Sequence, residues 1–126
     1  MKETKFFICE HCKNLVEAIN ASGVPMKCCG QNMTELIPGT TDAALEKHVP
    51  VVTVEGNTVK ACVGEVTHPM TEEHFIQWVY LKTDKGGYRR DLTPEDEPCA
   101  VFTLTDEKPL AVYEYCNLHG LWKTDI

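Results

Sequence analysis

The stretch Val49-Pro50-Val51-Val52-Thr53-Val54-Glu55-Gly56-Asn57-Thr58-Val59-Lys60-Ala61-Cys62-Val63 decides the fold. Two runs of β-branched residues flank the turn residues Glu55-Gly56-Asn57, and side chains branched at Cβ favour the pleated, half-buried surface of a strand. The pattern recurs downstream. Phe75–Thr83 is rich in Ile, Val, Trp and Tyr and closes on Asp84-Lys85-Gly86-Gly87, across which Tyr88–Leu92 pairs back. Cys99–Thr105 and Leu110–Tyr115 are two further strands around the turn Asp106-Glu107-Lys108-Pro109. Short strands with turn signals at short intervals predict an all-β fold, an antiparallel sandwich or barrel. Upstream, Asp42–His48 reads as a short helical turn capped by Asp42, which Pro50 prevents from continuing. No long amphipathic helix, low-complexity tract or internal repeat is visible.

Working back to the N-terminus, the character of the chain changes. Residues 1–37 carry four Lys and four acidic residues, so the whole net charge of −7 falls on residues 38–126. Pro38-Gly39-Thr40-Thr41-Asp42 reads as a linker, which divides the 126 residues into segments 1–37 and 38–126. A chain this acidic is unsuited to nucleic acid or to an anionic membrane surface. No apolar run reaches the length of a membrane-spanning helix. Phe6-Phe7-Ile8 is too short for the apolar core of a secretion signal, so the expected location is cytoplasmic.

Segment 1–37 is too small to bury a sufficient core and needs a staple. Four of the seven cysteines lie there, as Cys9-Glu10-His11-Cys12 and Cys28-Cys29. Soft thiolates four at a time suit zinc or iron in tetrahedral geometry, and the spacing does not choose between them. Neighbouring side chains diverge along an extended chain, so the adjacent pair Cys28-Cys29 implies a site distorted from the symmetric double knuckle. His11 lies inside the knuckle and reads as a loop residue, because four sulfurs complete the shell.

The other four histidines, His48, His68, His74 and His119, sit at strand ends or in loops, where a sandwich gathers distant residues at one edge. His68 precedes Pro69, which forces extended backbone. His119 follows Cys116 in Cys116-Asn117-Leu118-His119-Gly120, a spacing that turns a thiolate and an imidazole toward one ion. Four imidazoles and one thiolate exceed a closed tetrahedral zinc site and point to a redox metal, iron, with one octahedral position left for inner-sphere chemistry. Ferrous iron with these ligands carries net charge +1, which favours a small anion. Cys62 and Cys99 match no motif and read as small buried hydrophobes. Trp78 and Trp122 read as core or shielding residues.

With these residues in view the chain resembles desulfoferrodoxin, the two-iron form of superoxide reductase, over essentially its whole length. The motifs that carry the resemblance are Cys9-x2-Cys12 with Cys28-Cys29, Glu46-Lys47-His48-Val49-Pro50, His68-Pro69-Met70 with His74-Phe75-Ile76-Gln77-Trp78, and Cys116-Asn117-Leu118-His119-Gly120. The resemblance implies a small desulforedoxin-like (rubredoxin-like) metal-knuckle domain with ferric iron on Cys9, Cys12, Cys28 and Cys29. It implies an immunoglobulin-like β-sandwich after it, with a second iron held by His48, His68, His74 and His119 in a plane and by Cys116 on the axis. The implied activity is one-electron reduction of superoxide to hydrogen peroxide without oxygen release. The implied partners are rubredoxin as electron donor and a second copy of the chain. By the same resemblance, Lys47 draws the anion in and aids its protonation, and Glu46 closes the site as sixth ligand after turnover. Two rival readings are an iron electron-transfer protein that binds no substrate, and a structural zinc knuckle attached to a β-sandwich binding module.

Overall fold

The computed structural model describes residues 3–40 and 48–126. It divides into two compact units, residues 1–37 and 38–126. All regular elements among the described residues are strands. No helix there is long and apolar enough to cross a membrane.

The first unit contains β1 (Phe6–Ile8), β2 (Leu15–Glu17), β3 (Lys27–Cys28), β4 (Gln31–Asn32) and β5 (Thr34–Leu36). They form an antiparallel sheet of order β2-β1-β5 and a separate β3-β4 hairpin. Phe6, Ile8 and Cys9 are the buried apolar residues among those described there. A core this small leaves the cysteine cluster as the remaining source of cohesion.

The second unit holds β6 (Pro50–Glu55), β7 (Thr58–Val63), β8 (Ile76–Thr83), β9 (Gly86–Asp91), β10 (Cys99–Thr103), β11 (Pro109–Cys116) and β12 (Gly120–Asp125). They make two antiparallel sheets, β10-β7-β6 and β12-β11-β8-β9. This seven-stranded arrangement has immunoglobulin-like architecture. The deciding stretch forms the β6–β7 hairpin, with Glu55 opposite Thr58. Gly56, at the first central position of its two-residue turn, has φ 58°, the left-handed backbone that a type II′ turn requires there.

Between the sheets lies one apolar cluster. Val59, Ala61, Val63, Ala100 and Phe102 come from one sheet, and Ile76, Val79, Leu81, Val112 and Cys116 from the other. Each fully buried aliphatic side chain contributes about 1.5–3 kcal/mol of burial free energy. The outer face of the second sheet carries aromatic cross-strand pairs. Trp78 stacks on Tyr115 at 5.8 Å, and Tyr80 meets Tyr113 edge-on at 6.1 Å.

Two expectations need amendment. The strand Gly120–Asp125 is absent from the sequence reading and is created by six pairings with β11. Cys62 and Cys99 are not isolated buried hydrophobes. They face each other across β7 and β10 and are joined as a disulfide. Directly opposed positions on antiparallel strands bring their Cβ atoms close enough for that bond. The helical turn expected at 42–48 falls, except for His48, outside the described residues.

Candidate metal centres

In the first unit, Cys9 follows β1, and the chain reverses at once. The Cys9 N–H donates to the Asn14 carbonyl at 2.8 Å and the Lys13 N–H to the Cys9 carbonyl at 2.8 Å, with Lys13 at φ 67°. The Cys12 N–H points at the Cys9 sulfur at 3.4 Å. The adjacent pair is resolved by turn geometry. Cys28 ends β3 opposite Gln31, while Cys29 and Gly30 form the two-residue turn with φ 54° and 74°. Two successive left-handed residues make a type I′ turn, and this departure from extended backbone brings the Cys29 side chain back beside Cys28. The four sulfurs all lie within 4.8 Å of one another. Cys12 and Cys28 Sγ are 3.5 Å apart, and Cys28 and Cys29 Sγ 4.0 Å. Metal–sulfur bonds of ~2.3 Å in a tetrahedron place sulfurs about 3.8 Å apart, so the donor set fits one ion. Asn14 Nδ2 adds a hydrogen bond to Cys28 Sγ at 3.6 Å.

The protonation pattern fits as well. The Cys12 N–H holds the Cys9 thiol down at about 6. Sharing hydrogen bonds with Cys12 pushes Cys29 up to about 12 and raises Cys28 too. A cation bound among the sulfurs would displace the protons of Cys28 and Cys29. His11 sits in the exposed knuckle loop.

The second cluster lies at one end of the sandwich. His48 precedes β6, His68 follows the loop after β7, His74 precedes β8, Cys116 ends β11, and His119 lies in the turn before β12. Their rings form a near-square. Successive centroids are 4.8 Å (His48–His68), 4.7 Å (His68–His74), 5.0 Å (His74–His119) and 4.7 Å (His119–His48) apart, and the His48–His74 diagonal is 6.5 Å. Neighbouring rings stand at 77–86°, while His48 and His74 are nearly parallel at 27°. Donor atoms of His48, His68, His74 and Cys116 lie within 4.8 Å of one another. His119 Nδ1 is 3.0 Å from His48 Nε2 and 3.9 Å from the Cys116 sulfur.

The His68 ring shows how the donor set fits a cation. Its Nδ1–H donates to the Pro69 carbonyl at 2.7 Å, which leaves Nε2 with the lone pair. That Nε2 is buried with no hydrogen-bond partner. Burial lowers His68 to about 4, so the imidazole is neutral, the form that ligates. Burial raises the Cys116 thiol, against backbone N–H groups of Leu118 and His119 that favour the thiolate. A bound cation would tip that balance. Cys116 is fully buried and belongs to the core, whereas His74 and His119 keep partial exposure. The cluster is closed on its thiol side and reached from the imidazole side.

Other residues hold this geometry. Trp122 is buried, stacks on His48 at 5.1 Å, and donates its indole N–H to the His119 carbonyl at 3.0 Å. Asn117 bridges two loops: its Oδ1 accepts the Phe75 N–H at 3.0 Å, and its Nδ2 donates to the Glu73 carbonyl at 3.0 Å. The His74 loop is closed by mutual backbone hydrogen bonds with Thr71, at 3.0 and 3.2 Å. The sequence reading quoted Asn117 within a motif and gave it no role. It missed Glu114, a fully buried carboxyl with no hydrogen-bond partner on either oxygen, whose pKa burial pushes well up. An acid amid alternating strand residues carries no sequence signal. Glu46 and Lys47 lie outside the described residues.

Fold and site together define a class: an all-β metalloprotein with a four-cysteine centre in a small N-terminal unit and a four-histidine, one-cysteine centre at the end of a β-sandwich. The desulfoferrodoxin family model matches residues 40–125, and the chain belongs to that family. It is 45% identical over 121 residues to the desulfoferrodoxin of Nitratidesulfovibrio vulgaris, covering 96% of this chain and 95% of that one. It is 36% identical over 99 residues to the superoxide reductase of Thermococcus kodakarensis, covering 64% and 86%. Among solved structures, the superoxide reductase of Treponema pallidum aligns with TM-score 0.82 at 43% identity over 98% of this chain and 99% of that one.

Proposed function

We propose that this chain is a superoxide reductase, consuming one electron, two protons and one superoxide to yield one hydrogen peroxide. The observation that carries the reading is the near-square of four imidazoles beside the buried Cys116. An electron-transfer module needs no such reachable cluster, and a zinc knuckle explains the first centre alone. His48, His68, His74, His119 and Cys116 would hold one iron, and Cys9, Cys12, Cys28 and Cys29 a second. Iron at the histidine centre supplies the one-electron reduction of superoxide.

The chain's own groups prepare that centre. The Pro69 carbonyl fixes the His68 tautomer, Trp122 walls off His48, and Asn117 ties the His74 loop to the Cys116 turn. In this reading Lys47 attracts the anion and orders water for protonation, and Glu46 closes the site after turnover. The proposal extends to rubredoxin as electron donor, a homodimeric assembly and a cytoplasmic location.

The test is metal content and product stoichiometry. Two irons per chain are expected. With a reductant present, one peroxide should form per superoxide consumed, and no oxygen should be released. Half that peroxide yield with oxygen evolution would identify a dismutase instead, and zinc in both centres would overturn the reading.

A further inference from the structure

Cys62 and Cys99 lie outside both centres. Cys62 is the penultimate residue of β7, Cys99 opens β10, and they are directly opposed in register with Cα atoms 4.0 Å apart and their sulfurs bonded. The Val63 N–H donates to the Pro98 carbonyl at 2.8 Å. That bond marks the Cys62–Cys99 pair as one whose members do not hydrogen-bond each other, the position of closest approach on antiparallel strands. The alternation settles which face they occupy. Val59, Ala61 and Val63 on β7, and Ala100 and Phe102 on β10, point into the core. Cys62 and Cys99 therefore point outward, and both are half-buried at the surface of that sheet.

The fold has little need of this bond. An immunoglobulin-type disulfide ties one sheet to the other, whereas this one joins neighbouring strands of a single sheet. Five consecutive register pairs already hold those strands together. Cys9, Cys12, Cys28, Cys29 and Cys116 are free, and the two centres require them as thiolates. The protein thus works where thiols persist, and a half-exposed disulfide there is open to exchange. It also adjoins the histidine centre. The Gly64 N–H donates to the carbonyl of Val49, the residue after His48, and β7 runs on into the loop carrying His68.

We propose that Cys62 and Cys99 form a third, metal-independent redox site, a dithiol–disulfide couple oxidised by hydrogen peroxide. A thiolate of the pair attacks peroxide, breaking the O–O bond to give a sulfenic acid and hydroxide, which takes up the proton lost by the thiol to become water. The second thiol displaces water from the sulfenic acid as the S–S bond forms. In sum, two thiols and one peroxide give one disulfide and two waters, with two electrons passing from sulfur to oxygen. Exchange with an external dithiol restores both thiols and leaves that reagent as its disulfide. Peroxide is also the product in the reading above, but the site's chemistry stands without it when peroxide is supplied as a reagent.

The test uses the full-length, metal-loaded protein. It is treated anaerobically with dithiothreitol, desalted, titrated with hydrogen peroxide and alkylated, and peptides containing Cys62 and Cys99 are quantified by mass spectrometry. The double variant C62S/C99S supplies the background from the metal centres. We expect dithiothreitol to open the bond in the folded protein, with the metal content of both centres retained. One equivalent of peroxide should then close it, an uptake the double variant lacks. A bond that opens only after denaturation would overturn the proposal, as would a reduced pair that stays reduced while peroxide attacks other sites. Loss of superoxide reductase activity in an independent assay would refute the function above and leave this result unaffected.

Discussion

Gly30→Ala is expected to weaken metal binding at the four-cysteine centre by about 5- to 30-fold. Gly30 has φ 74°, and a Cβ built there meets nothing within 4 Å. Steric overlap with the rest of the protein therefore contributes nothing. The remaining cost is the left-handed backbone of a residue with a Cβ, about 1–2 kcal/mol. Cys29 already carries that cost at φ 54°, and the hairpin must sustain it twice in the variant. A unit of this size cannot hold its shape by core burial alone, so folding and metal binding are linked, and the backbone cost emerges as lost affinity. The assay is competition between the iron-loaded protein and a chelator, followed by the thiolate-to-metal absorption of this centre, with the histidine centre as internal reference. Gly30→Asn should fall between wild type and Ala, since Asn tolerates this region better than other side chains. Equal affinities for Gly, Asn and Ala would refute the reasoning, as would parallel losses at both centres.

Cys116→Ser should remove the thiolate-to-metal absorption of the oxidised histidine centre and leave the four-sulfur centre coloured; persistence of both bands would exclude Cys116 as a ligand. Lys47→Ile should slow the second-order reaction with superoxide by ~10-fold or more and flatten its dependence on ionic strength, as read by pulse radiolysis. Glu107 accepts hydrogen bonds from Thr83 at 2.6 Å and from Tyr88, and the Thr83 bond first, then the Tyr88 bond, hold its carboxyl below the usual 4.5. A carboxylate lowered in the folded state stabilises it above the unfolded value and loses that contribution as pH falls through the folded one. Thermal melts of Glu107→Gln should therefore depend less on pH below about 4.5 than wild type, the two curves converging in acid.

The sequence exposed those parts of the molecule that depend on local pattern. Six of the seven sandwich strands announce themselves through runs such as Val51-Val52-Thr53-Val54 and Thr58-Val59, because β-branched residues and flanking breakers act over a few residues. The metal clusters were visible because sulfur and imidazole at knuckle spacing have few other uses. The features that stayed hidden depend on pairing. Leu121-Trp122-Lys123-Thr124 becomes strand only against β11. The strands of the first unit are two or three residues long, too short for any period to show. The Cys62–Cys99 bond spans 37 residues and needs the β7–β10 register. The distorted site was inferred from Cys28-Cys29 on an extended backbone; the two side chains are instead brought together by a left-handed turn at Cys29 and Gly30, which only the fold reveals.

The register of β8 against β11 links fold to site most directly. Trp78 pairs with Tyr115, yet Ile76 pairs with Cys116, so Gln77 is an extra residue on β8. A bulge of this kind bends the strand and re-aims the neighbouring side chains, and bulges gather beside active sites. Without it, strict alternation would set Ile76 on the aromatic face with Trp78. With it, Ile76 joins Val79, Leu81, Val112 and Cys116 in the core. Deleting Gln77 would place Ile76 directly before Trp78, where alternation keeps it in the core opposite Cys116 and only the bulge's bend is lost. Loss of that bend should turn the His74 loop, whose anchor is the Phe75 N–H on Asn117, away from the other imidazoles. Iron content should fall from two per chain to one, with the four-sulfur absorption preserved. If a folded deletion variant still bound iron at the histidine centre, the bulge would have no part in building it.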